Sequence, residues 1–204
     1  MDLINPVGEV GFYHEIIECL TEALEARDPY TRGHSQRVAH MAKDIAHLYG
    51  LSHEQIELIH IAGHLHDIGK IGIPDDILNK PGTLTDSEYE IIKKHSEIGY
   101  KILSKSENLN LVAQIVLKHH ERWDGRGYPL GLMAEEIPIE ARILCLSDSI
   151  DAMRIDRIYK KAISLDACKA EVRRCSGTQF DPRLVELIEV LWSKWELEAD
   201  LGVA

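Results

Sequence analysis

The chain has 204 residues, enough for one large domain or two small ones with a substantial buried core. Its 45% hydrophobic and 28% charged content is that of a soluble globular protein. The balance of 23 basic against 34 acidic residues, a net charge of −11, excludes a surface built as a whole to attract nucleic acid or acidic membranes. No apolar run approaches the ~20 residues of a membrane span, and the opening "MDLINPVGEVGF" lacks the basic start of a secretory signal, so a cytoplasmic location is expected.

Periodicity is helical almost throughout, and no segment alternates like a sheet strand. Residues 13–28 ("YHEIIECLTEALEARD"), 35–50 and 53–69 repeat apolar side chains at three and four. Ser52 with Gln55 and Thr85 with Glu88 read as capping boxes, and Asp181-Pro182 as an N-cap followed by proline at the first helical position. Gly50, Gly69 and Gly177 fall where helices are expected to end. The irregular stretch 121–138 ("ERWDGRGYPLGLMAEEIP") is long for a loop inside a compact domain, and such loops are often functional. The expectation is one all-α domain over residues 11–195, with 1–10 a loose lead-in and 196–204 a frayed tail. Cys19, Cys145, Cys168 and Cys175 form no C-x-x-C pair and are expected as free, mostly buried thiols.

The eleven histidines separate by neighbourhood. His14, His40, His47 and His53 sit among polar residues and read as surface. His60 and His64 are an i, i+4 pair without the adjacent glutamate of H-E-x-x-H, so packing is the expected role. Elsewhere imidazoles and carboxylates stand at the edges of apolar helices: His34, His66-Asp67, His95, His119-His120 and Asp148. Burying such groups is costly unless they are paired or bind metal. Together they have the composition of a transition-metal site and exceed the three or four ligands of one zinc ion, which points to two metals. Consecutive helical side chains diverge by ~100°, so His66 and Asp67 would not approach one ion from the same side; a histidine on one metal and a carboxylate reaching across both satisfies that divergence.

Two segments, "HLHDIGKIGIP" (64–74) and "HHERWDGRGYP" (119–129), resemble the HD superfamily of metal-dependent phosphohydrolases and the signature of its HD-GYP subfamily. "EARDPYTRGHSQRVA" (25–39), "NKPGTLT" (79–85), "HSEIGYKIL" (95–103), "ARILCLSDSIDAM" (141–153), "DRIYKKA" (156–162) and "GTQFDPRLVE" (177–186) fall in the same order, so the resemblance covers roughly residues 20–190. It implies an all-helical HD-domain bundle with a metal centre in its core. It also implies hydrolysis of cyclic di-GMP to pGpG, and onward to GMP, by hydroxide held between the metals. By matching motif, the implied metal ligands are His34, His66, Asp67, His95, His119, His120 and Asp148, with Asp67 bridging. Lys70 would contact the substrate phosphate, Arg157 and Lys160 would grip the nucleotide, and Gly127, Tyr128 and Pro129 would form a loop beside the site.

Asp151, one turn after Asp148, could orient a ligand imidazole or handle a proton. Arg122, Arg126, Arg154 and Lys161 would add positive potential at the mouth, while Ser149 and Cys145 read as packing residues. Members with three metals carry a glutamate four residues before the first ligand histidine; Tyr30 stands there, so two divalent ions, iron or manganese, are expected. Ile158 replaces the proline of the usual D-R-P-Y-R-K segment. The expected partners are cyclic di-GMP, a second copy of the chain, and an upstream receiver or sensory domain or a diguanylate cyclase; no nucleic-acid polymer is expected. The alternative reading keeps the fold but makes it a cyclic di-GMP sensor or partner-binding module with little turnover.

Overall fold

The computed structural model describes residues 6–28, 33–155 and 161–200, with side chains described between 14 and 196. Its first helix, α1, runs Pro6–Glu25, followed by α2 (His34–Tyr49) and α3 (His53–Leu65). A 3-10 segment over Ile68–Gly72 leads to the short α4 (Asp75–Leu78), then α5 (Asp86–Lys93), α6 (His95–Leu103) and α7 (Asn110–Lys118). After the long loop come α8 (Ile139–Arg154), α9 (Leu165–Arg174), α10 (Pro182–Leu187) and α11 (Trp192–Asp200). No strand occurs among the described residues, in keeping with the all-α expectation.

Local chemistry sets several boundaries. Ser52 accepts from the Gln55 N–H and Thr85 from the Glu88 N–H, and each box is closed by the reciprocal side chain. Asp181 accepts from the Arg183 N–H, with Pro182 at the first helical position, where a missing N–H costs nothing. Other boundaries differ from expectation. α1 begins at Pro6, inside the expected lead-in, because proline suits the first turn of a helix. α11 likewise carries helix to Asp200, into the expected tail. The third helix stops at Leu65 rather than Gly69, and Gly69 ends no α-helix. A Cβ at Gly69 would lie 1.8 Å from the His95 carbonyl oxygen, so this glycine is required by close backbone contact with α6.

Two antiparallel hairpins bring distant histidines together. α2 and α3 pack against each other around the turn at Gly50, and α6 and α7 around the 3-10 turn Glu107–Leu109. His34 and His66 lie sixteen residues either side of Gly50, and His95 and His119 twelve residues either side of Glu107. Each pair therefore meets at the open end of its hairpin. α8 packs against α2 and brings Asp148 and Asp151 to the same region. Two apolar clusters hold this arrangement. One joins Ala42, Ile45, Ile59, Ile143, Leu146, Ile150, Leu184 and Trp192; the other joins Val38, Ala62, Leu65, Ile68, Val112, Val116 and Leu144. Cys145, Cys168 and Cys175 are buried as expected, whereas Cys19 is exposed; all four are free thiols.

Candidate metal centre

Helix ends supply the local geometry. His66 caps α3, His119 caps α7, and His95 follows the break between α5 and α6. At each position the carbonyl three residues earlier lacks a full helical partner. The His66 Nδ1–H donates to the Gly63 carbonyl at 2.8 Å, His95 to Ile92 at 2.8 Å, and His119 to Val116 at 2.6 Å. A carbonyl can only accept, so each Nδ1 carries the proton and each Nε2 presents a lone pair. His34 meets Asp151 Oδ2 through Nδ1 at 2.6 Å, which leaves its Nε2 facing inward as well.

These Nε2 atoms converge on two groups. His34, His66 and Asp148 form one, and His95, His119 and His120 the other, with the ligand atoms of each group within 4.8 Å of one another. Asp67 stands between them. Its Oδ2 is 3.5 Å from His66 Nε2 and 4.0 Å from His34 Nε2, while its Oδ1 is 3.6 Å from His95 Nε2. The expectation that His66 and Asp67 point apart is corrected here: α3 has ended at Leu65, and the non-helical turn at Asp67 brings both side chains to one side. The residues fit divalent transition-metal ions. The Nε2 atoms of His66 and His119 are buried without any hydrogen-bond partner, and imidazole with carboxylate is a transition-metal donor set.

The electrostatics agree. Burial, then the neighbouring imidazoles, push His119 well below its ordinary value, and burial and His95 hold His120 at about 3; neutral rings are what a metal requires. Burial opposes ionisation of Asp67 and Asp148, but Lys70 and the facing imidazoles outweigh it for Asp67, as His34 and His66 do for Asp148, and hold both carboxyls low. His34 goes the other way. Burial lowers it, yet hydrogen bonds and charge from Asp148 and Asp151 raise it to about 9.

The remaining expected residues divide. Lys70 Nζ lies 2.8 Å from Asp67 Oδ2 and 3.3 Å from Asp28 Oδ2. Asp151 is buried behind His34 and also accepts from Arg37 Nε at 2.6 Å, so it touches the His34–His66–Asp148 group through the His34 ring. Tyr128 packs on His120 with ring centroids 4.7 Å apart, and its N–H donates to the His120 carbonyl at 3.2 Å. Gly127 permits that approach, since a Cβ there would lie 2.4 Å from the Arg122 nitrogen; Pro129 follows Tyr128 through a cis peptide bond. Tyr128, Lys93, His120, Arg122, Arg126 and Gly127 line a cavity of about 400 Å³, to which Cys145 and Ser149 also contribute. Burial pushes the Cys145 thiol up to about 12, which suits packing rather than nucleophilic attack.

Arg154 does not line this cavity; it lines a different one with Arg37, Asp151 and Trp192. Lys161 is exposed. Arg157, Lys160, Ile158 and Tyr30 lie outside the described residues. Four supporting charges escape a reading of the sequence. Asp28 pairs with Lys70; Glu25 accepts from the N–H groups of Gly33 at 2.6 Å and Ser35 at 3.1 Å; Arg37 holds Asp151; and Glu121 accepts from Leu130 at 2.6 Å and Leu132 at 3.0 Å, pinning the loop. Their only signal is charge at the ends of amphipathic helices, which surface residues share.

A helical bundle gathering buried imidazoles and carboxylates where two hairpins open defines a protein of the metal-dependent, HD type. The HD domain family model matches residues 18–184, and the chain belongs to that family. The His-Asp pair at 66–67 and the Gly-Tyr-Pro run at 127–129, which carry the resemblance to the HD-GYP subfamily, lie inside the matched span. The chain is 47% identical over 177 residues to a cyclic di-GMP phosphodiesterase of Thermotoga maritima, covering 86% of this chain and 48% of that protein. It is 40% identical over 183 residues to the 3'3'-cGAMP-specific phosphodiesterase 2 of Vibrio cholerae, covering 89% and 35%. The chain thus spans half or less of the length of these relatives. A cyclic GMP-AMP-specific phosphodiesterase of Vibrio cholerae shares the fold at a TM-score of 0.67 and 22% identity, over 87% of this chain and 48% of that one.

Proposed function

We propose that this chain is a metal-dependent phosphodiesterase that hydrolyses cyclic di-GMP to pGpG and onward to GMP. The observation that carries the reading is the Asp67 carboxylate, which turns one oxygen toward the His34–His66–Asp148 group and the other toward His95, His119 and His120. In this reading His34, His66 and Asp148 hold one divalent ion, the three remaining histidines hold a second, and Asp67 is shared. Iron or manganese bound by these residues would supply water activation and charge stabilisation for an in-line displacement at phosphorus.

The protein's own groups do the rest. Lys70 is the cation beside the shared carboxylate, positioned to offset charge that grows on the phosphoryl oxygens. Lys93, Arg122 and Arg126 give the adjacent cavity a basic lining in an otherwise acidic protein. Tyr128, packed at a tilt against His120, offers an aromatic ring to a nucleobase. Arg157 and Lys160 are assigned to the nucleotide by motif. The specificity for which the Vibrio relative is named supports a second reading, in which the hybrid 3'3'-cGAMP is the preferred substrate.

Both are tested together. Metal-reconstituted protein is incubated with cyclic di-GMP and, separately, with 3'3'-cGAMP, and the linear products are resolved by chromatography. Release of pGpG and GMP is expected. Faster cleavage of 3'3'-cGAMP would favour the second substrate, and binding without turnover of either would overturn the enzyme reading in favour of a sensor.

A further inference from the structure

Away from this centre, the structure corrects the sequence reading of His14. That residue is only half-buried, and its ring stacks on His60 with centroids 5.1 Å apart. His64 approaches both, at 4.9 Å from His60 and 6.1 Å from His14. His60 is 6% exposed and His64 4% exposed. One ligand atom from each of the three comes within 4.8 Å of the others. Both ring nitrogens of His60 are buried with no hydrogen-bond partner, an arrangement that is costly unless something else binds there.

We propose that His14, His60 and His64 form a separate site for one divalent transition ion of the zinc class, bridging α1 to α3. Three imidazoles and an open fourth position are a known donor count for tetrahedral zinc. At Zn–N distances of about 2.0–2.1 Å, tetrahedral ligands stand roughly 3.4 Å apart, so closing the present spacing takes side-chain adjustments of about an ångström. His60 and His64 are one helical turn apart on α3, the spacing at which two imidazoles share an ion. Burial, then charge from His64, keeps His60 neutral, with a value of about 3, as a ligand must be. His40, exposed and stacked over His60 at 5.9 Å, borders the site and leaves the fourth position to it or to water.

The site has a structural consequence. The Thr21 hydroxyl donates to the His64 carbonyl at 3.2 Å, so an ion here would reinforce an existing α1–α3 contact. The same α1 ends at Glu25, which caps the start of α2 where His34 stands.

The test is independent of turnover. Wild-type and Asp67→Ala proteins, each with and without His14→Ala, are stripped of metal, loaded with Zn²⁺ alone and desalted, and bound zinc is counted. In both backgrounds His14→Ala is expected to lose one equivalent, and Zn²⁺ should raise the melting temperature of Asp67→Ala by about 5 °C or more but not that of the double variant. In Asp67→Ala loaded with Co²⁺, His14→Cys should keep the equivalent and add a sulfur-to-cobalt charge-transfer band, a signature that packing alone would not give. Equal zinc counts with and without His14, or a His14→Cys protein without that band, would overturn the site.

Discussion

His34 shows how a single side chain is set by its neighbours. Between Asp148 and Asp151 its value rises to about 9 from an ordinary 6.5, so folding favours the protonated ring when no metal is bound. The sign follows: this stabilisation is fully present below about pH 6.5 and is lost as pH climbs through about 9, an effect on the order of 3 kcal/mol. Melting of metal-free protein from pH 6 to 10 should show the decline, and His34→Asn should flatten it. Asp67→Ala should remove most bound metal, since both groups lose their shared carboxylate; unchanged metal content would remove Asp67 from the bridging role. Lys70→Ala should keep metal and lower kcat by a factor of about 100 or more, read by steady-state rates beside metal analysis. Asp151→Asn keeps the shape but not the charge that orients His34, and is expected to weaken metal affinity by roughly 10- to 100-fold in a chelator competition.

Between elements, Gly69 and Gly127 allow the close approaches on which the site depends. Neither ends a helix; each lets one backbone pass against another, Gly69 against α6 and Gly127 against the Glu121–Arg122 segment. Gly69→Ala would place its methyl 1.8 Å from the His95 carbonyl oxygen, with no flexible side chain to yield. It should destabilise by about 3 kcal/mol or more in denaturant unfolding and displace His95 from its group. Helix ends contribute in another way. His66, His95 and His119 use carbonyls left over at helix ends to fix their tautomer, a device that needs only a histidine at the right step.

For the whole molecule, the two hairpins and α8 meet around the metal groups and the apolar clusters beside them. A centre of buried, partly unsatisfied donors costs stability without its ions, so chelation should lower the melting temperature and metal return should restore it. Among the described residues no helix is long and apolar enough to cross a membrane. Of the expected ligands, all seven lie in or between the two groups: the five histidines and Asp67 stand at or just beyond helix ends where the hairpins open, and Asp148 is brought in from the middle of α8. The positions 157 and 160 fall outside the described residues.

Helical periodicity, caps and residue chemistry depend on neighbours within a turn or two, and are legible in the chain alone. The Ser52 and Thr85 boxes and the His66-Asp67 pair can be read directly for that reason. Pairing between distant segments is settled by tertiary packing. That Asp28 holds Lys70, that Arg37 and Asp151 stand behind His34, and that His14 is drawn onto His60 and His64 are matters of which helix faces which. A charged or imidazole side chain reads the same in sequence whether it meets water or a partner more than a hundred residues away, as Arg37 meets Asp151.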